Sequence, residues 1–268
     1  MTDFYDEAVY SVPARIGATP DLDHPTVGRV ELVPDVCHGL APRVATLMML
    51  ADTVVGMRLE EDLPDDWAYT TDFSVRLLST PTSGVVTAHS KVLRHGSRLM
   101  TDQVDYLDEA DNPVARALIT FMRSPLRPGE EKLDMQATRK RMVSADRPPL
   151  GAPLAEAAGI TIDDPSAGRV SLDPDGSVRR PGGFVQGSMV TLLGEVSATT
   201  LGEHHFGRPC RVVDFDVRYL LGGRTGPLVA TAAWLGEQSE GKMAIEIVDQ
   251  GHGSQVIVAC LATIEATD

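Results

Sequence analysis

The sequence predicts an α+β chain built from two copies of one unit, each a long apolar helix covered by an antiparallel sheet. Three observations carry this reading. Asp72 to Leu78 reads DFSVRLL and Asp214 to Leu220 reads DFDVRYL, identical at five of seven positions and 142 residues apart. Upstream of each heptad lies one helix-length apolar segment, Pro42 to Leu59 and Val185 to Leu201. Each segment holds a single acid, Asp52 and Glu195, which are 143 residues apart and so occupy equivalent places.

The elements follow in the same order in both halves. A short strand-like run, Gly28 to Val33 or Gly168 to Leu172, comes before the helix. The heptad is a strand, because Val213, Phe215, Val217 and Tyr219 alternate with Asp214, Asp216 and Arg218, the period of a sheet with one wet face. Three more strands follow, separated by turn residues: Val85 to Leu93, Arg98 to Leu107 and Val114 to Phe121, then Leu228 to Leu235, Met243 to Val248 and Val256 to Ile264. Only the helix can cover the apolar face of such a sheet. The chain thus divides into an N-terminal extension (1–20), a first unit (21–123), a connector rich in charge and proline (124–149) and a second unit (150–268).

Composition narrows the function. Of 268 residues, 38 are Asp or Glu and 24 Lys or Arg, a net charge of −14 that repels nucleic-acid backbones and anionic membrane surfaces alike. No run approaches the roughly 18 apolar residues that span a bilayer. The three cysteines, Cys37, Cys210 and Cys260, are too few and too scattered for a disulfide framework or a zinc site. With an acidic N-terminal stretch, MTDFYDEAVY, that carries no apolar run, the expectation is a cytoplasmic protein.

The two helical acids are the first candidates for chemistry. A carboxylate inside an apolar helix costs several kcal/mol or has a raised pKa, so two at one repeated position mark a site, the alternative being two satisfied structural acids. Before Glu195 runs PGGFVQGSMVTLLGE, which places Gln186 and Gly187 at the first turn of the helix. Free N–H groups gather there and suit a polarised carbonyl, and glycine lets a substrate approach the backbone.

At these residues the sequence resembles the hotdog-fold acyl-CoA thioesterases of the phenylacetate-degradation type, whose signature is G-x-x-[HQ]-G-G ahead of a helix bearing Asp or Glu. Gly183, Gln186, Gly187 and Ser188 fit that loop, with Ser188 in place of the second glycine, and Glu195 lies nine residues after Gln186. Arg180 stands where the family often has asparagine. The resemblance covers both halves and implies a double hotdog, its repeats paired about a pseudo-twofold axis with their sheets joined at the edges. It implies hydrolysis of an acyl-CoA or acyl carrier protein thioester with neither cofactor nor metal, and it is compatible with homo-oligomers of the double unit.

In that family the carboxylate of one hotdog faces the glycine N–H of its partner, so the half-sites combine crosswise. Asp52 then faces Gln186 and Gly187, and Thr70, two residues before the strand aspartate, joins it. Glu195 faces a loop in which Arg43 and Val44 stand where the family motif belongs, which makes the second site the degenerate one. The rivals are a hotdog 3-hydroxyacyl dehydratase or enoyl hydratase using His38, and a non-catalytic module that binds acyl thioesters. His38 is followed by Gly39, Leu40 and Ala41 rather than by the dehydratase loop. A Cys37 thiol nucleophile, ligation by His204 and His205, and phosphate contacts from Arg139, Lys140 and Arg141 are weaker candidates, with small-residue packing, helix capping and a solvated face as their plain explanations. Met48, Met49 and Met57 are expected in the core.

Overall fold

The structure is a computed structural model that describes residues 11–132, 134–180 and 183–267. Residues 1–10 of the predicted extension, and Pro181 and Gly182 of the glycine loop, lie outside the described residues. The strands are β1 (Thr19–Pro20), β2 (Val27–Leu32), β3 (Asp66–Leu77), β4 (Gly84–His95), β5 (Leu99–Leu107), β6 (Pro113–Pro125), β7 (Ile160–Asp164), β8 (Arg169–Leu172), β9 (Cys210–Tyr219), β10 (Leu228–Trp234), β11 (Lys242–Asp249) and β12 (Gln255–Ala266). They form one twelve-stranded sheet in the order β1-β2-β4-β5-β6-β3-β9-β12-β11-β10-β8-β7. Read from either edge, the strands come in the same order, so the two halves share one topology and meet at β3 and β9.

That seam explains why the heptads are alike. They pair with each other, antiparallel, with Asp72 opposite Arg218, Ser74 opposite Asp216 and Arg76 opposite Asp214. On the outer face Arg76 reaches Asp216 through two hydrogen bonds of 2.9 and 3.0 Å, and Arg218 lies 2.9 Å from Asp72. On the inner face Phe73, Val75, Phe215 and Val217 are fully buried against the helices. Each heptad thus needs an apolar row inside and an Asp and Arg pattern outside that complements its own copy.

The helices are α1 (Val12–Arg15), α2 (Val44–Ala51), α3 (Met57–Asp62), α4 (Met135–Ser144), α5 (Leu154–Ala157) and α6 (Gly187–Phe206). A π-helical turn, Asp52–Gly56, joins α2 to α3, so residues 44–62 run as one helix with an interruption at the acid. The 20-residue α6 has no such interruption. It ends at Gly207, which takes the left-handed conformation (φ +66°) and donates to the Glu203 carbonyl, while His205 packs on Trp234, so the His204–His205 pair belongs to a helix end. Both central helices lie almost wholly buried in the concave face. Among the described residues no helix is long and apolar enough to cross a membrane.

Two parts depart from the sequence reading. The repeat begins before Asp21, because α1 and β1, inside the predicted extension, match α5 and β7 of the second half, 142 residues on from Val12 to Leu154. A strand of two residues leaves no periodic pattern to read. The connector is more than a loop: it holds α4, capped by Asp134 accepting from Ala137 N–H, and Lys132, whose ammonium donates to the carbonyls of Glu60, Leu63 and Asp66 at 2.7–2.8 Å. Lys132 also pairs with Glu60 at 2.6 Å, pinning the connector to the end of the first central helix. Arg139 is buried near Glu61 at 3.6 Å rather than on a solvated face, which removes it from the exposed basic run.

Candidate active site

The chain crossing at β3 and β9 sets the two central helices side by side, so the start of each lies near the middle of the other. Gln186 is the N-cap of α6. Its Oε1 accepts from Ser188 N–H at 2.5 Å and from Ser188 Oγ, and its backbone carbonyl takes the Met189 and Val190 N–H groups. Its Nε2 then points across the interface to Asp52 Oδ2 at 3.2 Å. Of the first four N–H groups of the helix, those of Ser188, Met189 and Val190 are therefore occupied. Gly187 N–H has no acceptor among the described residues and is the donor left for an incoming group.

Asp52 is held from two sides, since Thr70 Oγ1 donates to its Oδ1 at 3.1 Å. Burial pushes its pKa above the ordinary carboxylate range, and the Arg180 guanidinium, the Thr70 hydroxyl and the Gln186 amide offset only part of that rise. Arg180 lies over the Tyr69 ring, 4.7 Å from its centroid. The result is a partly buried carboxylate, more basic than usual, beside a helix N-terminus with a free donor and a glycine that leaves it uncovered.

The other crossing is built from the same positions with a different outcome. Glu195 Oε2 accepts from Ala45 N–H at 3.1 Å, so the carboxylate itself occupies the N-terminus of α2. Arg43 lies beside it, 3.7 Å from Oε1, with both residues over nine-tenths buried. Burial raises the Glu195 pKa, opposed by Arg43, the Ala45 N–H, His38 and the Val44 N–H. One extra methylene relative to aspartate lets this acid reach the backbone donors that Asp52 leaves open. His38 Nε2 sits 2.9 Å from Glu203 Oε1, on this side of the molecule and away from Asp52. Burial pushes the Cys37 thiol up to about 11, which leaves it a poor nucleophile at neutral pH.

Other predicted loop residues serve the frame. Ser188 is fully buried and bonds inward to Gln186 and to Met49 Sδ at 3.6 Å, while Gly183 is an exposed turn residue with φ +81°. Residues the sequence reading missed also line the crevice. Tyr219 Oη bonds the Gly187 carbonyl at 3.0 Å and Thr191 Oγ1 at 2.5 Å, and Met49 Sδ lies 3.5 Å from Gln186 Nε2. Tyr219 had a signal, since it replaces Leu77 at one of the two positions where the heptads differ. Met48 and Met49 are core residues by composition, and nothing in the sequence marks them as neighbours of the donor loop.

No family model matches the sequence, and no curated protein is found similar to it. Solved structures are similar in shape. A conserved protein of unknown function with a hot dog fold from Alicyclobacillus acidocaldarius aligns with a TM-score of 0.57 at 12% identity, over 96% of this chain and 98% of that one. The chain has the hotdog fold. An acyl-ACP thioesterase from Bacteroides thetaiotaomicron aligns with a TM-score of 0.60 at 13% identity, over 91% of this chain and all of that one. The tesB protein of Mycobacterium avium subs paratuberculosis gives 0.60 at 12% identity, over 96% and 98% of the two chains. These hotdog chains match along nearly their full length, so the similarity takes in both halves of the sheet.

Proposed function

We propose that this protein is a thioester hydrolase that cleaves an acyl-CoA or acyl carrier protein thioester to free acid and thiol at one crevice. The observation that carries the reading is Asp52 bridged to Gln186 beside the unoccupied Gly187 N–H. The thioester carbonyl accepts from Gly187 N–H at the positive end of α6, where charge develops on oxygen as the carbonyl is attacked. Asp52, ionised and made more basic by burial, either takes a proton from water or attacks the carbonyl carbon to give an anhydride. Thr70 and Gln186 hold its two oxygens in place. The second crevice is closed by its own carboxylate, with Glu195 in the place of an oxyanion and Arg43 paired to it.

This reading includes the organisation of the chain: tandem hotdog repeats at about 21–123 and 150–268, joined by 124–149, with α1 and β1 added to the first. It takes the protein to work in the cytoplasm on acyl thioesters, in lipid metabolism, as a double unit able to form homo-oligomers. The thioesterase names of solved chains with this fold support it. The test is a panel of acyl-CoA and acyl carrier protein thioesters with thiol detection. Thiol release is expected. Hydration of an enoyl thioester without thiol release would favour the dehydratase reading, and binding with neither reaction the binding module.

A further inference from the structure

The first central helix differs from the second at the acid itself. The π turn Asp52–Gly56 starts on that residue, whereas Glu195 lies in regular α-helix. The sequence shows the difference as an extra residue: 20 separate Asp52 from Asp72, and 19 separate Glu195 from Asp214. A π turn is the way a helix absorbs one residue more, and such turns recur at functional sites.

Gly56, at the end of this turn, has ordinary helical dihedrals, φ −60° and ψ −49°, which any residue adopts. Its glycine identity is not needed for backbone freedom, and glycine inside a helix is unfavourable relative to alanine. The reason is steric. A Cβ placed on Gly56 would stand 3.2 Å from Asp52 Oδ1 and 3.5 Å from Cε1 and Cζ of Phe121. Phe121 is fully buried and leaves the methyl no room to retreat, so the carboxylate oxygen would have to give way. That oxygen is the one Thr70 holds. In the closed crevice the corresponding residue is Thr199 by the helix offset or Ala198 by the strand offset, and both carry a side chain.

We propose that Gly56 and its π turn are a positioning device for the Asp52 carboxylate, keeping Oδ1 between Thr70 and Phe121 so that Oδ2 meets Gln186. The inference rests on the reading of Asp52 as the reacting group, and its test includes a readout that does not need turnover.

The variant is Gly56→Ala in the full chain. A carboxylate displaced by a few tenths of an ångström should lower kcat by about tenfold or more with KM within about twofold. The added methyl should also raise the Asp52 pKa, by removing water from the carboxylate, as read from the pH titration of its carbon-13 signal. Adding Phe121→Leu gives the methyl space and should return kcat to within about threefold of the Phe121→Leu value. In an Asp52→Asn background Gly56→Ala should change residual turnover little. A folded Gly56→Ala protein with unchanged kcat and unchanged Asp52 titration would overturn the proposal, as would the same fractional loss in the Asp52→Asn background. Failure of both Gly56 variants to fold would assign the glycine to packing and overturn it too. If the wild-type protein releases no thiol from any thioester, the hydrolase reading fails, while the titration still reports whether Gly56 sets the environment of Asp52.

Discussion

Glu195→Gln separates a structural acid from a reacting one. Arg43 and Glu195 are each over nine-tenths buried, 3.7 Å apart, and the glutamate also accepts from Ala45 N–H. Glutamine keeps an oxygen for that N–H, so the change removes little except the charge. It leaves the Arg43 guanidinium buried without a counter-ion, a loss of about 3 kcal/mol. In a chain of this size that lowers Tm by about 6–12 °C. Arg43→Met leaves the carboxylate uncompensated instead and should cost about the same, while the double variant buries no charge and should cost no more than either single change. The coupling is then about 3 kcal/mol. The assay is urea denaturation of the four proteins, with midpoints and slopes compared. Additive losses, or a Glu195→Gln protein with a wild-type midpoint, would show that the pair does not hold the closed crevice together and refute the reasoning.

Thr70→Val should lower turnover and move the acid limb of the kcat/KM profile to higher pH, because it removes a donor to the ionised form of Asp52; the wild-type midpoint should already lie above the ordinary value of about 3.9, and a midpoint unmoved by the change would count against Thr70. Asp249 gives the opposite sign. Burial raises its pKa, but the N–H groups of Arg224, Thr225 and Gly226, at 2.8–3.0 Å, outweigh that and hold it below the usual range. Its contribution is therefore present above the unfolded value and lost as pH falls through the folded one. Asp249→Ala should cost about 3–5 kcal/mol at neutral pH and less in acid, and an equal loss at pH 2 and pH 7 would contradict that.

The seam was legible because its constraints act on both residue types at once: the heptads must be apolar on one face, charged on the other, and complementary to each other. The pairing of Asp52 with Gln186 and of Glu195 with Arg43 could be anticipated only by crossing the repeats, since the partners are 134 and 152 residues apart. The occupied N-terminus of α2 could not, because it depends on the reach of one methylene from Glu195 to Ala45 N–H. The π turn was hidden for a different reason. One extra residue in LMMLADTVVGMRLE leaves the segment apolar throughout, so its hydropathy pattern does not register the insertion. In the connector, charge and proline concealed a helix whose Arg139 is buried and a lysine whose donors cap another helix.

The central claim is that one of two equivalent acids does the chemistry, and kcat/KM on the best thioester for Asp52→Asn and Glu195→Gln tests it most directly. Asp52→Asn removes the charge but keeps the shape, and because the folded protein already disfavours that charge, it should fold as well as the wild type. Loss of a positioned base or nucleophile should lower kcat/KM by at least about 100-fold. Glu195→Gln, measured where it is folded, should lose about tenfold or less. Equal losses would mean two working crevices, and a larger loss for Glu195→Gln would place the chemistry at the crevice described here as closed.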